Sequence, residues 1–186
     1  MNRLSTSQQQ LTRGPRVSFE RARGIYALHV TRDVAHAKVQ LKEGDERIGA
    51  TTRILNALAK ANIAIFLIKL HKSGLTFALA GSNLSRAEET LSHFDVAVTT
   101  RRDLAVVAII AGSMREVSGI MTDISDALLT AGATIYETGD SHDSVQCLIE
   151  EDRLNDSISR LLDTFELPES AVEEHPLYAN TRDDQP

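Results

Sequence analysis

An internal repeat limits what this chain can fold into more than any other feature of its sequence. The run that begins at Gly49 aligns without a gap with the run that begins at Gly119, an offset of 70 residues. The coinciding pairs are Gly49/Gly119, Thr52/Thr122, Ile54/Ile124, Ala57/Ala127, Leu58/Leu128, Ala61/Ala131, Ile65/Ile135, Leu84/Leu154 and Leu91/Leu161. A repeat of this length exceeds the roughly 20–50 residues of a solenoid unit, so the sequence predicts two copies of one small domain.

The first copy alternates strand and helix patterns. Apolar and polar side chains alternate over 37–41, as in a half-buried strand, and apolar residues then recur at helical spacing from Ile54 to Ala61. The later predicted elements are strands at 63–70 and 75–79 around a turn at 71–74, a helix carrying Leu84 to Phe94, and a strand at 96–98. This β-α-β-β-α-β order predicts a ferredoxin-like unit, in the α+β class.

The second copy lacks a closing strand, and an unassigned strand precedes the first copy. The predicted elements of the second copy are strands at 106–111, 133–138 and 144–149, a turn at 139–143, and helices from Ile120 to Ala131 and Leu154 to Phe165. No fourth strand is expected after Pro168, because that stretch is acidic and rich in proline. We therefore expect the run 25–30 to complete the second sheet, so that the first unit is inserted within the second.

This count gives the domain boundaries. We expect a first domain at 36–101 and a second built from 24–35 plus 104–167. The basic, polar residues 1–23 and the acidic residues 168–186 are expected to be flexible tails, because neither can bury much apolar surface.

Composition narrows the possible functions. A formal net charge of −6 argues against nucleic-acid binding. No segment approaches the roughly 18 apolar residues of a membrane span, and the polar N-terminus does not resemble a signal peptide. The single cysteine, Cys147, fits a reducing cytoplasm and is expected to be a buried, inert thiol.

Several predicted strands are apolar on both faces. Ile63, Ile65 and Leu67 point to one side of their strand, whereas Phe66 and Ile68 point to the other. Such strands need cover on both faces or along an edge. We expect close packing of the two copies, and a homodimer.

Two segments of the second copy are candidates for ligand binding. The loop before the first helix, with Ser113, Met114, Arg115, Glu116, Val117, Ser118 and Gly119, would bring backbone N–H groups to a helix N-terminus, where a carboxylate can bind. The alternative is a plain tight turn. A second cluster consists of Thr138, Asp140, Ser141 and His142; the alternative there is a hairpin turn with local hydrogen bonds.

The corresponding loop of the first copy is a further candidate, with Asp45, Glu46, Arg47, Ile48 and Gly49. The sequence has no histidine or cysteine spacing typical of a metal site, no phosphate-binding glycine pattern and no catalytic constellation. We therefore expect no metal, no cofactor and no enzymatic activity.

The second copy resembles the ACT domain, the amino-acid-sensing ferredoxin-like module, as found in the tandem pair of aspartokinases. Residues 107–112 with 117–119 resemble that family's strand, loop and helix start, 139–145 resembles a stretch of the diaminopimelate-sensitive bacterial enzymes, and 161–167 is similar to its closing helix. The resemblance implies a cytoplasmic regulatory protein of the aspartate-family amino-acid pathway. It implies an effector of the lysine, diaminopimelate or threonine class, bound between ACT copies with Arg115, Glu116, Asp140 and Ser141. It also implies an aspartokinase catalytic subunit as a possible partner.

The chain departs from that family in ways that keep a second hypothesis open. No kinase domain precedes the repeat, so we do not expect this chain to phosphorylate aspartate. Ile48 stands where the family has proline, while Ala64, Phe66 and Thr134 replace polar residues that contact its effectors. The alternative is a ligand-free ACT pair that dimerises or acts as a scaffold.

Overall fold

The computed structural model describes residues 24–42, 47–112 and 119–177. Within these residues the chain forms seven strands and four α-helices. In chain order they are β1 (Ile25–Leu41), α1 (Arg47–Lys60), β2 (Ile65–His71), β3 (Gly74–Ala80), α2 (Leu84–Ser92), β4 (Val96–Ala111), α3 (Ile120–Thr130), β5 (Glu137–Asp140), β6 (Ser144–Glu150), α4 (Leu154–Thr164) and β7 (Val172–Glu174). None of these helices is both long and apolar enough to cross a membrane.

Two long strands join the copies into one sheet. Its strand order is β2-β3-β1-β4-β6-β5, and β1 pairs antiparallel with β4 along nearly its whole length. The second half of β1 belongs to the first copy, and its first half pairs with the second half of β4 to complete the sheet of the second copy. The inserted arrangement of two ferredoxin-like units is therefore confirmed.

The prediction of separate strands at 25–30 and 37–41, and at 96–98 and 106–111, was wrong. Each pair is one continuous strand, because backbone pairing between β1 and β4 continues through polar residues that no apolar alternation marks. The ladder shifts register near Val34, and Asp33 and its repeat equivalent Asp103 adopt φ of 53° and 57°. These left-handed residues bend the long strands where one copy passes into the other.

Each copy has its own apolar core between the sheet and its two helices. The first contains Phe77, Leu79, Ile54 and Leu58, and the second contains Val107, Ile109, Ile124 and Leu128, all at most 1% exposed. Ile54 and Leu58 correspond to Ile124 and Leu128 in the repeat, so the same helical positions are buried in both copies.

The repeat extends to the hydrogen bonds that end the first helix of each copy. The N–H of Ile63 donates to the carbonyl of Leu58 at 3.0 Å, and Ala133 donates to Leu128 at 3.0 Å. The residues before these donors, Asn62 and Gly132, have φ of 53° and 74°. Both helices therefore end in a Schellman motif with a left-handed residue.

On the face of the sheet that carries no helices, the two copies pack against each other. A shared apolar cluster contains Val34, Ala78, Leu104, Val106 and Leu148, with Phe66, Leu67, Tyr136 and Leu177 packed against it. In this cluster β2 meets β5, although these strands lie at opposite ends of the sheet order. The expected close packing of the two copies is confirmed.

The prediction that no strand follows Pro168 was also wrong. After a 3₁₀ turn at Glu169–Ala171, β7 pairs in parallel with Leu28 to Val30 of β1. The N–H of His175 then donates to the carbonyl of Val30 at 2.7 Å. A short edge strand of this kind depends on backbone hydrogen bonds, so it needs no apolar alternation in its sequence.

The strand β5 lies later in the chain than the predicted strand at 133–138. The N–H groups of Ala133 and Thr134 are used elsewhere, the first by the helix-ending motif and the second by the carboxylate of Glu150 at 2.8 Å. Ladder pairing with β6 therefore begins only at Glu137 and includes Gly139 and Asp140, which the sequence had placed in the turn.

Candidate functional site

The polar turn of the second copy lies beside the end of β4. The N–H of Ala111, at the end of β4, donates to the carbonyl of Asp143 in the β5–β6 turn at 2.9 Å. The N–H of Gly112 donates to the carbonyl of Gly24 at 3.1 Å. The end of β4, the polar turn and the start of β1 therefore lie together at one end of the second sheet.

Of the candidate residues in the loop before α3, only Gly119 lies within the described residues. Ser113, Met114, Arg115, Glu116, Val117 and Ser118 lie outside the described residues. Gly119 is exposed and has φ 83°, a left-handed conformation that favours glycine. Its carbonyl accepts hydrogen bonds from the N–H groups of Thr122 at 2.8 Å and Asp123 at 3.2 Å, which begins α3.

The polar turn is held by a local hydrogen-bond network around Ser141. Its hydroxyl lies 2.8 Å from the hydroxyl of Ser144 and donates to the carboxylate of Asp143 at 2.8 Å. It also accepts from the N–H of Ser144 at 3.0 Å. Asp140 and His142 are exposed on either side of it. Ser141 therefore stabilises the turn, while Asp140 and His142 are exposed to solvent.

Thr138, the remaining predicted residue of this cluster, lies farther from the turn. It is half-buried in β5 and pairs with Cys147 of β6. Its hydroxyl lies 3.5 Å from the ammonium group of Lys69 in the first copy. The structure thus places Thr138 at the contact between the copies rather than in the turn.

The first copy repeats the backbone arrangement with different side chains. The N–H of Leu41 donates to the carbonyl of Ser73 at 2.8 Å, the equivalent of the bond from Ala111 to Asp143. Asp45 and Glu46 lie outside the described residues, and Arg47 is the first residue of α1.

The other two loop candidates of the first copy lie within α1. The Ile48 side chain is 83% exposed, and its carbonyl accepts from the hydroxyl of Thr52 at 2.8 Å. Gly49 lies inside the helix rather than before it. The two equivalent glycines therefore differ, because Gly49 is part of α1 whereas Gly119 precedes α3 in a left-handed conformation.

A buried carboxylate between the copies was not recognised from the sequence. Glu137 of β5 is 8% exposed and lies 2.7 Å from the ammonium group of Lys69. It accepts a hydrogen bond from the hydroxyl of Thr76 at 2.7 Å and lies 3.4 Å from Nε2 of His36. An acidic residue directly after the apolar pair Ile135 and Tyr136 was the only sequence signal.

The environment of this cluster shifts two pKa values. Burial raises the pKa of Glu137, but the hydrogen bonds from Lys69 and Thr76 outweigh it and leave the pKa below its ordinary value. Burial lowers the pKa of His36 despite the nearby carboxylate. A cavity of about 430 Å³ opens beside these groups, lined also by Lys38, His71 and Tyr136.

A second polar contact links Tyr136 with Glu150 within the second copy. The Tyr136 hydroxyl donates to the Glu150 carboxylate at 2.7 Å, and the guanidinium of Arg101 lies 4.5 Å from the centre of the Tyr136 ring. Burial raises the pKa of Glu150, but the hydrogen bonds from Tyr136 and Thr134 outweigh this and lower it to about 2. Glu150 is therefore fully ionised at neutral pH.

The described residues include a buried thiol and a cluster of two histidines and a carboxylate. Cys147 is buried, as expected, and burial raises the pKa of its thiol to about 11, which disfavours the reactive thiolate. His29, Glu173 and His175 bring their ligand atoms within 4.8 Å of one another where β7 meets β1. The sequence predicted no such cluster, because its members lie at opposite ends of the chain.

Comparison with known proteins gives a consistent picture of the fold. No protein-family model matches the sequence. Aspartokinase 1 of Bacillus subtilis (strain 168) is 26% identical over 149 residues, which cover 80% of this chain and 36% of the relative. The chain thus spans little more than a third of the length of that curated relative.

Solved structures match over most of the described chain. The aspartokinase alpha and beta subunits give a TM-score of 0.70 at 21% identity, covering 77% of this chain and 99% of theirs. The ligand-free regulatory subunit of aspartate kinase from Thermus thermophilus gives 0.66 at 17% identity, covering 76% and 98%. E. coli aspartokinase III in complex with lysine and aspartate gives 0.61 at 17% identity, covering 76% and 33%. The chain therefore shares its fold, two ferredoxin-like units with one inserted in the other, with these aspartokinase structures.

Proposed function

We propose that this chain is a regulatory module that binds a free amino acid through its second copy and has no catalytic role of its own. The observation that carries the proposal is the meeting of three segments at one end of the second sheet. The N–H groups of Ala111 and Gly112 tie the loop before α3 to the turn at Asp143 and to Gly24. The turn at that end exposes Asp140, Ser141 and His142, and α3 begins after the left-handed Gly119.

The chemistry of these residues suits the two charged ends of an amino acid. The backbone N–H groups at the start of α3 and the guanidinium of Arg115 are donors for a carboxylate. The carboxylates of Asp140 and Glu116 are acceptors for an ammonium group. Asp140 is exposed at the end of β5 and is therefore available to a ligand from solvent.

The comparisons support an effector and a partner from one pathway. E. coli aspartokinase III, which shares the fold, has been solved with lysine and aspartate, and the Thermus thermophilus neighbour is a regulatory subunit. We propose an effector of the lysine, diaminopimelate or threonine class and an aspartokinase catalytic subunit as partner. The proposed binding domain comprises 24–35 and 104–167, and 36–101 is the inserted domain packed against it.

Regulation requires that the ligand distinguish two arrangements of the protein. The two copies are in contact through Phe66 and Leu67 on one side and Tyr136 on the other. A ligand that draws the loop before α3 towards the β5–β6 turn would move β5, which carries Glu137 into that contact. Ligand binding at this end of the second sheet would thereby change how the two copies pack against each other.

Thermal unfolding against a panel of amino acids tests the ligand. The panel is L-lysine, meso-diaminopimelate, L-threonine, L-methionine and glycine at millimolar concentration. One of the first three should stabilise the chain selectively, by about 2.7 kcal/mol at a hundredfold excess over its Kd. Asp140→Ala should abolish the effect.

Lys72→Ala is the matched control, because Lys72 is the exposed residue of the first-copy turn that corresponds to His142. It should leave stabilisation by the ligand intact. Two results would refute amino-acid binding at this end of the second copy. One is that no amino acid of the panel stabilises the chain selectively, and the other is that a ligand stabilises Asp140→Ala and Lys72→Ala equally.

The second candidate function, a ligand-free pair that dimerises, is favoured by an open edge of the sheet. In the described chain β6 pairs with β4 only from Leu104 onward, and the corresponding edge of Val96 to Asp103 pairs with no strand. Exposed Ile48 lies in the same copy. Analytical ultracentrifugation decides this point: a dimer that Val98→Pro converts to a monomer would support it, and a monomer at all concentrations would exclude it.

A further inference from the structure

Three potential metal-binding side chains converge where the C-terminal segment returns to the first strand. His29 lies in β1 and is paired in register with Glu173 of β7. His175 follows β7 and is fixed by its backbone hydrogen bond to Val30. The backbone therefore holds all three residues in place independently of any ion.

Two of the three distances between their ligand atoms suit one metal ion, and all three atoms lie within 4.8 Å of one another. Oε2 of Glu173 lies 3.5 Å from Nε2 of His29 and 3.4 Å from Nε2 of His175. A tetrahedral ion with bonds of about 2.0–2.1 Å separates its ligand atoms by roughly 3.3–3.4 Å. The two imidazoles are stacked with centroids 4.1 Å apart and planes 19° apart, so one ring must turn about its side-chain bonds before both nitrogens direct their lone pairs at one ion.

We propose that His29, Glu173 and His175 bind a divalent first-row transition-metal ion. Two imidazole nitrogens and one carboxylate oxygen are ligands for zinc and its neighbours in that row, whereas magnesium and calcium prefer sites made of oxygen. The three side chains are 29%, 59% and 50% exposed, which leaves an entry path for the ion and room for water as a fourth ligand.

The ion would fasten the C-terminal segment to the second copy. Leu177, two residues beyond His175, packs against the apolar cluster on the helix-free side. Leu177 and His175 also line a cavity of about 410 Å³ together with Tyr26 and Phe66. Metal binding would hold this segment over the surface where the two copies meet, whether or not the chain binds an amino acid.

The rival explanation is that the carboxylate simply accepts hydrogen bonds from the two histidines. Titration of the metal-free full chain with Co²⁺, monitored by visible absorption, separates the two explanations. We expect one Co²⁺ per chain, with the intense bands of a four-coordinate ion, and its displacement by Zn²⁺ but not by Mg²⁺. Zn²⁺ should also raise the Tm, and EDTA should reverse that rise.

Variants identify the ligands. Because loss of a mere supporting residue costs about 10–100-fold in metal affinity, His175→Ala and His29→Ala should each weaken binding at least about a hundredfold. Glu173→Gln, which preserves size and the backbone pairing of β7, keeps the test valid if a histidine variant fails to fold. His93→Ala removes an exposed histidine of the first copy and should change nothing.

Two results would overturn the proposal. One is the absence of saturable binding by the wild-type chain at micromolar Co²⁺. The other is binding that Glu173→Gln and His175→Ala leave as tight as in His93→Ala, since the ion would then be bound elsewhere.

Discussion

The two copies of the repeat fill equivalent positions of their shared interface differently. On one side, Glu137 of the second copy lies against Lys69, Thr76 and His36 of the first. On the other side, Leu67, the equivalent of Glu137, lies against Gly139, the equivalent of Lys69. An ion pair holds one side and an apolar contact holds the other, and only β2 has a register shift here, at Leu67 with φ 47°.

A similar difference separates the strands that follow the first helices. Tyr136, Glu150 and Thr134 are joined by hydrogen bonds in the second copy. Their equivalents in the first copy are Phe66, Ala80 and Ala64, which cannot form them. The second copy thus concentrates polar and ionised groups, whereas the first is largely apolar at the same positions. The two copies therefore share their fold but differ in side chains, and at these positions only the second copy has hydrogen-bonded polar groups.

The largest expected effect comes from exchanging the residues that begin the second hairpin strands, Gly74 in the first copy and its equivalent Ser144 in the second. Gly74 has φ 154°, and a Cβ there would overlap the carbonyl oxygen of Val39. Gly74→Ser should therefore destabilise the chain by about 3 kcal/mol or more in urea unfolding. Ser144→Gly, the reciprocal change, should cost about 1–2 kcal/mol. Equal costs would mean that the two turns are not differently constrained.

Removing the buried carboxylate should have the next largest effect. Glu137→Ala leaves Thr76 and His36 without their acidic partner, while half-exposed Lys69 can return to water. We expect a loss of about 2–3 kcal/mol in the free energy of unfolding, at the lower end for buried ion pairs. Glu137→Gln should lie between this variant and the wild type. A larger loss from Leu67→Ala would contradict the view that the ionic side is the more strongly coupled.

Tyr136→Phe gives the second copy the residue that the first has at the equivalent position, Phe66. It tests how the free energy of unfolding changes at acid pH. The pKa of Glu150 is about 2 in the folded chain, below its ordinary value of 4.5, so its contribution is complete above pH about 4.5 and is lost as pH falls towards 2. Loss of the hydroxyl should cost about 1–2 kcal/mol at pH 7. The difference from wild type should shrink as the pH falls, as urea unfolding at several pH values would show. A difference independent of pH would contradict this assignment.

The smallest effect is expected at the apolar side of the interface. A Cβ added to Gly139 would lie 2.5 Å from Cδ2 of Leu67, the far end of a flexible side chain. Gly139→Ala should therefore change stability by less than about 1 kcal/mol, because Leu67 can turn away and alanine disfavours the unfolded state. A loss of several kcal/mol in thermal unfolding would show that Leu67 is held rigidly.

The repeat and strand counting predicted the ferredoxin-like units, the inserted order and the role of the first strand, because apolar periodicity reports which residues are buried. The middle of β1 and β4 was missed, since polar residues near Arg101 remain paired through the backbone alone. β7 was missed for the same reason. Glu137 and the histidine cluster depend on contacts between distant parts of the chain, which periodicity cannot report. The proposed ligand residues remain a prediction.

Isothermal titration calorimetry with L-lysine, meso-diaminopimelate and L-threonine, each titrated separately into the wild-type chain, tests the central claim most directly. If only the second copy binds an effector, one of these ligands binds at one molecule per chain. Its binding persists in Lys72→Ala and disappears in Asp140→Ala. Two molecules per chain, binding that survives Asp140→Ala, or no binding of any of the three would contradict the assignment of effector binding to the second copy.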